Sequence, residues 1–292
     1  MSDDNCKQKT IKNYIWINGD LEEFANTQVN ILTHSLHYSS GVFEGEKSYN
    51  GKIFALEKHT ERLIDSAKTM HLDLQYSFND IIDAHSAILK ANNISNAYIR
   101  PLIWRGSESM NIFNKTLSTN IAIISVKSPE RSIMNEYRLH ISRYCKPHPN
   151  ASPPQCKSTG QYNMPVVAKI EAKKQGLDDA LMLDWQGYVA ECTVSNIFFI
   201  KDSCIYTPIA DSFLNGITRQ TVIQLARKIG IEVREVRVSV EDLWSYEECF
   251  ITGTALEVQP VTSIQHKSKY VEFTTDITKQ IQREYWNLIG KR

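Results

Sequence analysis

Short strand-like runs recur in pairs along this chain, and turn signals join them. YIWING ends in Asn18-Gly19 before a polar partner segment, and VFEGEKSYNGKIFAL carries Asn50-Gly51 between two strand-like halves. Asn-Gly supplies the positive-φ residues that a two-residue hairpin requires. ALMLDWQGYVAEC and NIFFIKDSCIYTP read as two further strand pairs, and NAYIRPLIW, NIAIISV, YRLHISRYC, IEVREVRV and CFITGT as single strands. Helical periods break in less regularly. EKHTERLIDSAKTM puts Leu63, Ile64 and Ala67 on one face with Arg62 near its start; FNDIIDAHSAILKANN starts at Asn79 or Asp80 and ends at the Asn92-Asn93 pair. QYNMPVVAKIEAKKQG is a helix closed by Gly176, GITRQTVIQLARKIG is amphipathic, VEDLWSYEE is a short helix, and the last twenty residues form a terminal one. Strands that come as hairpins favour an α+β fold over a doubly wound sheet.

At 292 residues the chain has room for two domains of ordinary size. VKSPERSIMNE is polar and aperiodic, so the expected division is a small α+β domain over 1–125, a connecting loop over 126–136 and a larger domain over 137–292. Lys plus Arg and Asp plus Glu both count 33, which argues against a nucleic-acid or membrane-surface partner and leaves self-association unopposed. The N-terminus has no apolar core for a signal peptide, and apolar runs such as IAII and IFFI have strand length. Six scattered cysteines without a CxxC pair fit the reduced thiols of a cytoplasmic protein, with neither a disulfide frame nor a metal site.

Three features bear on chemistry, and each has an ordinary reading beside the functional one. In FLNGITRQ, Gly216 precedes Ile217 and Thr218 at a helix start, which suits either a phosphate or simple capping by Thr218. FITGTALE places a second glycine–threonine turn at Gly253-Thr254, and no Walker or GxGxxG pattern accompanies either. Lys157, in PPQCKSTGQYN, has no acidic residue within ten positions on either side. Such a lysine is either a solvated surface charge or, in a buried loop, an amine nucleophile. Glu191 follows an alternating strand among small and apolar residues and is either a solvated strand end or a buried acid that needs a cation. Together a phosphate cradle, an amine and a carboxylate match the three handles of pyridoxal phosphate.

The chain resembles the fold-type IV pyridoxal-phosphate enzymes, and within them the branched-chain amino-acid aminotransferases. The resemblance runs from about Tyr14 to Ile264 and rests on HSLHYSSGVFEG, HTERLIDSAK, AYIRPLIWRGSE, KSTGQYN, GLDDALMLDWQGYVAE, SNIFF, LNGITR and FITGTALEVQPV in the family's order. It implies a two-domain α+β fold, a larger domain with a β-barrel-like core, and an active site at the domain interface. It implies pyridoxal 5'-phosphate as cofactor, with Lys157 as the Schiff-base lysine, Tyr162 on the phenolic oxygen and Glu191 on the ring nitrogen. Arg62, Ile217, Thr218 and Thr254 match the phosphate cup. Tyr38, Phe43, Tyr98 and Arg100 match the substrate pocket, Tyr38 reaching it from a neighbouring subunit, and Ala255 the turn that meets the substrate carboxylate.

The implied reaction is ping-pong transfer of the amino group of L-leucine, L-isoleucine or L-valine to 2-oxoglutarate, giving branched-chain 2-oxo acids and L-glutamate. The implied assembly is a homodimer, itself open to association as a hexamer of dimers. D-amino-acid transaminases, amine transaminases and aminodeoxychorismate lyases use the same lysine, glutamate and phosphate cup, and a silent cofactor-binding protein is the alternative from another class. Two departures stand out: IISVKSPE lacks the family's loop tryptophan, and SMNI at 109–112 has Asn111 where GMGV has glycine.

Overall fold

The computed structural model describes residues 14–128 and 136–290. In the first half, β1 (Tyr14–Ile17) and β2 (Asp20–Glu23) form the first hairpin, with φ of 48° at Asn18 and 102° at Gly19. A short helix α1 (His34–Tyr38) leads to β3 (Gly41–Phe43), β4 (Glu46–Tyr49) and β5 (Lys52–Ile53), with Asn50-Gly51 turning the second hairpin. Helices α2 (Leu56–Thr69) and α3 (Phe78–Ala91) follow, then the long antiparallel pair β6 (Ala97–Arg105) and β7 (Thr119–Lys127). The sheet runs β2-β1-β7-β6-β4-β5, with β3 also on β6. Leu63, Ala67, Ile81 and Ile88 of the two helices close over Ile99, Ile103, Ile121 and Ile123 of the sheet.

The second half contains β8 (Tyr137–Cys145), α4 (Asn163–Lys174), β9 (Asp179–Leu183), β10 (Val189–Cys192), β11 (Asn196–Lys201) and β12 (Cys204–Pro208). It continues with α5 (Ile217–Lys228), β13 (Val233–Val236), β14 (Glu248–Gly253), β15 (Glu257–His266), β16 (Lys269–Glu272) and α6 (Asp276–Leu288). The order is β10-β9-β8-β15-β14-β11-β12-β13, with β16 also on β15. Five strand spacings therefore separate β10 from β11, about 24 Å in a flat sheet. The four peptide steps from Cys192 to Asn196 reach only about 14 Å. The sheet must curl on itself, and this gives the barrel-like core. Ile197 and Phe199 point inside it, with Leu181, Ile251 and Val261, while Phe198 and Ile200 point outward under α5 and α6. Both faces of β11 are buried, which is why IFFI is continuously apolar.

Several local expectations shift. Arg62 lies in the middle of α2, and α3 begins at the Ser77 cap, which forms a capping box with Asp80, ahead of Asn79 and Asp80. The stretch VEDLWSYEE makes only a 3-10 turn over Asp242–Ser245, and α6 occupies thirteen of the last twenty residues. Strand β7 extends two residues into the expected 126–136 connection, of which 129–135 lie outside the described residues. The hairpin picture is also incomplete, because β8–β9 and β12–β13 are parallel pairs with helices α4 and α5 as their crossovers. The long central strand β15 has no counterpart in the sequence reading. Pro260 stands in its middle, a residue that argues against a central strand, and β15 carries it beside a register shift against β8.

Candidate active site

The two halves meet at Lys157. Its backbone N–H donates to Ser66 Oγ of α2 at 3.0 Å, and its carbonyl accepts from the Phe43 N–H of β3 at 3.1 Å. The next residue, Ser158, forms an antiparallel bridge with Val42. These bonds tie the loop to the first half and turn the side chain into a cleft of about 630 Å³. Lys157 Nζ lies 2.7 Å from Tyr162 Oη, at the start of α4, and 4.9 Å from the centre of the Phe43 ring. Among the described residues no carboxylate forms an ion pair with it, and the acid it acts on in space is Glu191, in the same cleft.

At the floor of the cleft is Glu191, on β10 where the ladder to β9 shifts register. Its Oε1 accepts from Lys146 Nζ at 2.8 Å and its Oε2 from Asn196 Nδ2 at 3.1 Å. Burial raises the pKa of this carboxyl above the ordinary glutamate value, and Lys146 and Lys157 offset only part of the rise. Glu191 is thus a buried acid that lines the cleft, where a cationic partner could meet it.

The far wall gathers groups that suit an anion. Helix α5 starts at Gly216 with no side-chain cap, and Ile217 and Thr218 of its first turn line the cleft. The first N–H groups of a helix have no intrahelical acceptor and carry the positive end of its dipole. A Cβ at Gly216 would overlap Asn196 Oδ1, so any larger residue there must displace the side chain that binds Glu191. The loop before it is held by the buried Arg219, which donates to Asn215 Oδ1 and to the Pro208 carbonyl, both at 2.9 Å. Across the cleft Arg62 is clamped by the fully buried Glu44, with contacts of 2.6 and 2.9 Å, and His59 Nδ1 lies 2.7 Å from the same carboxylate. The clamp leaves Arg62 Nη1 buried without a partner, as are the hydroxyls of Ser195 and Thr252, which also line the cleft. Buried donors without acceptors cost free energy, and a phosphate group would answer all three.

Of the residues singled out in the sequence, Lys157, Tyr162, Glu191, Arg62, Ile217, Thr218 and Thr254 converge on the cleft. Phe43, Tyr98 and Arg100 adjoin it as one cluster: Arg100 Nη2 donates to Tyr98 Oη at 2.6 Å, and its guanidinium lies 4.6 Å from the Phe43 ring centre. Tyr38 and Ala255 are not among the lining residues. Tyr38 is 45% exposed and donates to the Met110 carbonyl at 2.8 Å. Lys146, Asn196, Glu44 and His59 were missed. His59 and Arg62, two basic residues three apart on the same helix as the apolar face, carried a signal, since buried cations call for a buried acid. Lys146 stands 45 positions from its partner, and nothing local points to the pair.

Residues 41–264 match the family model for amino-transferase class IV. A probable branched-chain-amino-acid aminotransferase of Rickettsia felis is 51% identical, over 94% of this chain and 96% of its own length. The solved branched-chain aminotransferase of Thermoproteus uzoniensis with norvaline superposes with a TM-score of 0.88 at 31% identity, covering 96% of both chains. The branched-chain amino acid aminotransferase of Thermobaculum terrenum, solved in its PLP holo form, superposes with a TM-score of 0.87 at 28% identity, covering 96% of this chain and 95% of its own.

Proposed function

Because the chain belongs to the amino-transferase class IV family, we propose that it is a pyridoxal-phosphate enzyme that transfers amino groups between branched-chain L-amino acids and 2-oxoglutarate. One observation carries the reading: an amine, a buried carboxylate and a set of unpartnered anion donors face one cleft from three sides. These residues fit the cofactor's aldehyde, ring nitrogen and phosphate in turn. Bound there, pyridoxal phosphate supplies a carbonyl that takes up an amino group and a ring that accepts electron density.

Lys157 would hold the carbonyl in the resting enzyme and, once displaced by substrate, would take the Cα proton on Nζ and deliver it to the carbon on the far side of the substrate nitrogen. Tyr162 Oη, 2.7 Å from Nζ, orients that amine. Glu191 would hold the ring nitrogen, and Arg62 Nη1 with the first N–H groups of α5 would hold the phosphate. Phe43 and Tyr98 present an apolar wall to a branched side chain, while Arg100 offers charge to the second carboxylate of 2-oxoglutarate or glutamate. Tyr38 and Ala255 join the substrate site from the partner subunit and from the turn after Thr254. The exposed apolar residues Ile31, Leu36, Ile112 and Phe113 support a homodimer on the Tyr38 side, and the free described cysteines suit a cytoplasmic enzyme. The two sheets are taken as its two domains, joined through 126–136.

Borohydride treatment of the yellow holoenzyme is expected to fix the cofactor on the peptide carrying Lys157, and transfer is expected from L-leucine, L-isoleucine and L-valine but not D-alanine. Label on another lysine, or turnover of D-alanine alone, overturns the assignment. Dilution to monomers should abolish activity, and a fully active monomer excludes the role of Tyr38.

A further inference from the structure

Lys146 has no task in the chemistry above, yet it is the nearest cation to Glu191. It follows β8 directly, and its backbone N–H is fixed to the Leu183 carbonyl at the end of β9 at 2.8 Å. Its side chain is 8% exposed and that of Glu191 9%. Nζ lies 2.8 Å from Glu191 Oε1, while Asn196 occupies Oε2. The other charged group that acts on Glu191 is Lys157, and the adjacent titratable side chain on β10 is the buried Cys192.

We propose that Lys146 is a positioning residue that keeps Glu191 ionised, so that the one proton shared by Glu191 and the cofactor's ring nitrogen resides on the ring. The inference rests on the reading of Glu191 as the ring-nitrogen partner. Two bases and one proton can be arranged as carboxylate plus ring cation or as carboxylic acid plus neutral ring. Coulomb energy falls with distance, and Oε1 already stands 2.8 Å from Nζ, closer than a ring cation would approach a like charge. The ammonium therefore stabilises the carboxylate more than it opposes the ring cation, and it biases the pair toward the charged arrangement. Asn196 adds an N–H that also prefers the anion. A lone buried glutamate would instead keep the proton and leave the ring a weaker electron acceptor.

The test reads the ring nitrogen itself, using holoenzyme loaded with pyridoxal phosphate isotopically labelled at that atom and nitrogen NMR at neutral pH. In the unaltered enzyme and in Lys146→Arg the resonance is expected at the protonated position. In Lys146→Met it should move toward that of unprotonated pyridine, and in Lys146→Gln likewise, since the amide keeps a hydrogen bond to Oε1 but loses the charge. Glu191→Gln separates the two levels of the argument. If it leaves the resonance in place, the reading of Glu191 fails; if it moves the resonance and Lys146→Met and Lys146→Gln do not, the role of Lys146 is overturned while the site stands. An unprotonated ring in the unaltered enzyme overturns the inference outright, whether or not the variants fold.

Discussion

Two buried glutamates, one in each half of the molecule, have opposite surroundings. Glu44 is fully buried between β3 and β4, and its carboxylate meets two nitrogens of Arg62 and one of His59, all within 2.9 Å. Burial alone would raise its pKa, but Arg62 and His59 outweigh that and hold the carboxyl well below the ordinary range. Glu191 has one ammonium and one amide N–H, and there burial wins. Glu44 is a finished ion pair that serves to aim a guanidinium, while Glu191 retains capacity for a cation that the protein does not supply. The difference separates a residue that builds the site from one that binds in it.

The largest effect expected from this contrast is on stability. Glu44→Gln leaves a buried guanidinium without its counter-charge, which costs about 3–5 kcal/mol. Because the folded pKa of Glu44 is depressed, its contribution is present above the ordinary glutamate pKa and is lost as pH falls through the folded value. The deficit of the variant should be full at neutral pH and should close in acid, in denaturant titrations of the two proteins. A deficit that is the same at every pH would mean that the carboxylate charge is not what matters.

How much of this was legible in the chain follows from range. The hairpins at Asn18-Gly19 and Asn50-Gly51 and the amphipathic α5 are local, so pattern and turn chemistry located them. The barrel-like closure is a consequence of strand order, which pairs β15 with both β14 beside it and the distant β8, and no local pattern encodes that. Lys157, Tyr162 and Glu191 stand in motifs that single them out, and the fold brings the three to one cleft. Lys146 was not, because its meaning comes from Glu191 alone, and a lysine between a cysteine and a proline looks like any loop cation. Glu44 sat inside a quoted motif but had no role until His59 and Arg62 closed on it.

A smaller effect is expected at Gly45, next to Glu44, where the first half contributes shape to the site. A Cβ on Gly45 would lie 2.5 Å from Tyr98 Oη, the oxygen that Arg100 binds. Gly45→Ala must displace that hydroxyl and with it the wall beside Phe43. Overpacking of this kind costs about 1–3 kcal/mol, and steady-state kinetics should show it as a KM for leucine raised by about tenfold, with kcat less affected. A variant with altered kcat and unchanged KM would place Tyr98 in the chemistry instead of the wall.

The smallest effect tests Glu191 with the cofactor withheld. Its folded pKa is raised, so the stability linked to it is fully present below the unfolded glutamate pKa and is lost as pH rises through the folded value. Glu191→Gln has no such titration. Relative to the unaltered protein, the cofactor-free variant should therefore gain stability as pH rises across that window and hold the gain above it. The variant also removes the partner of Lys146, so the change of the difference with pH, and not its absolute size, carries the test. Denaturant titrations without pyridoxal phosphate at a series of pH values measure it directly. A flat difference would show that Glu191 is already satisfied by Lys146 and Asn196, which removes the contrast with Glu44. A slope that appears without cofactor and vanishes with it ties the unmet charge of Glu191 to the ring nitrogen.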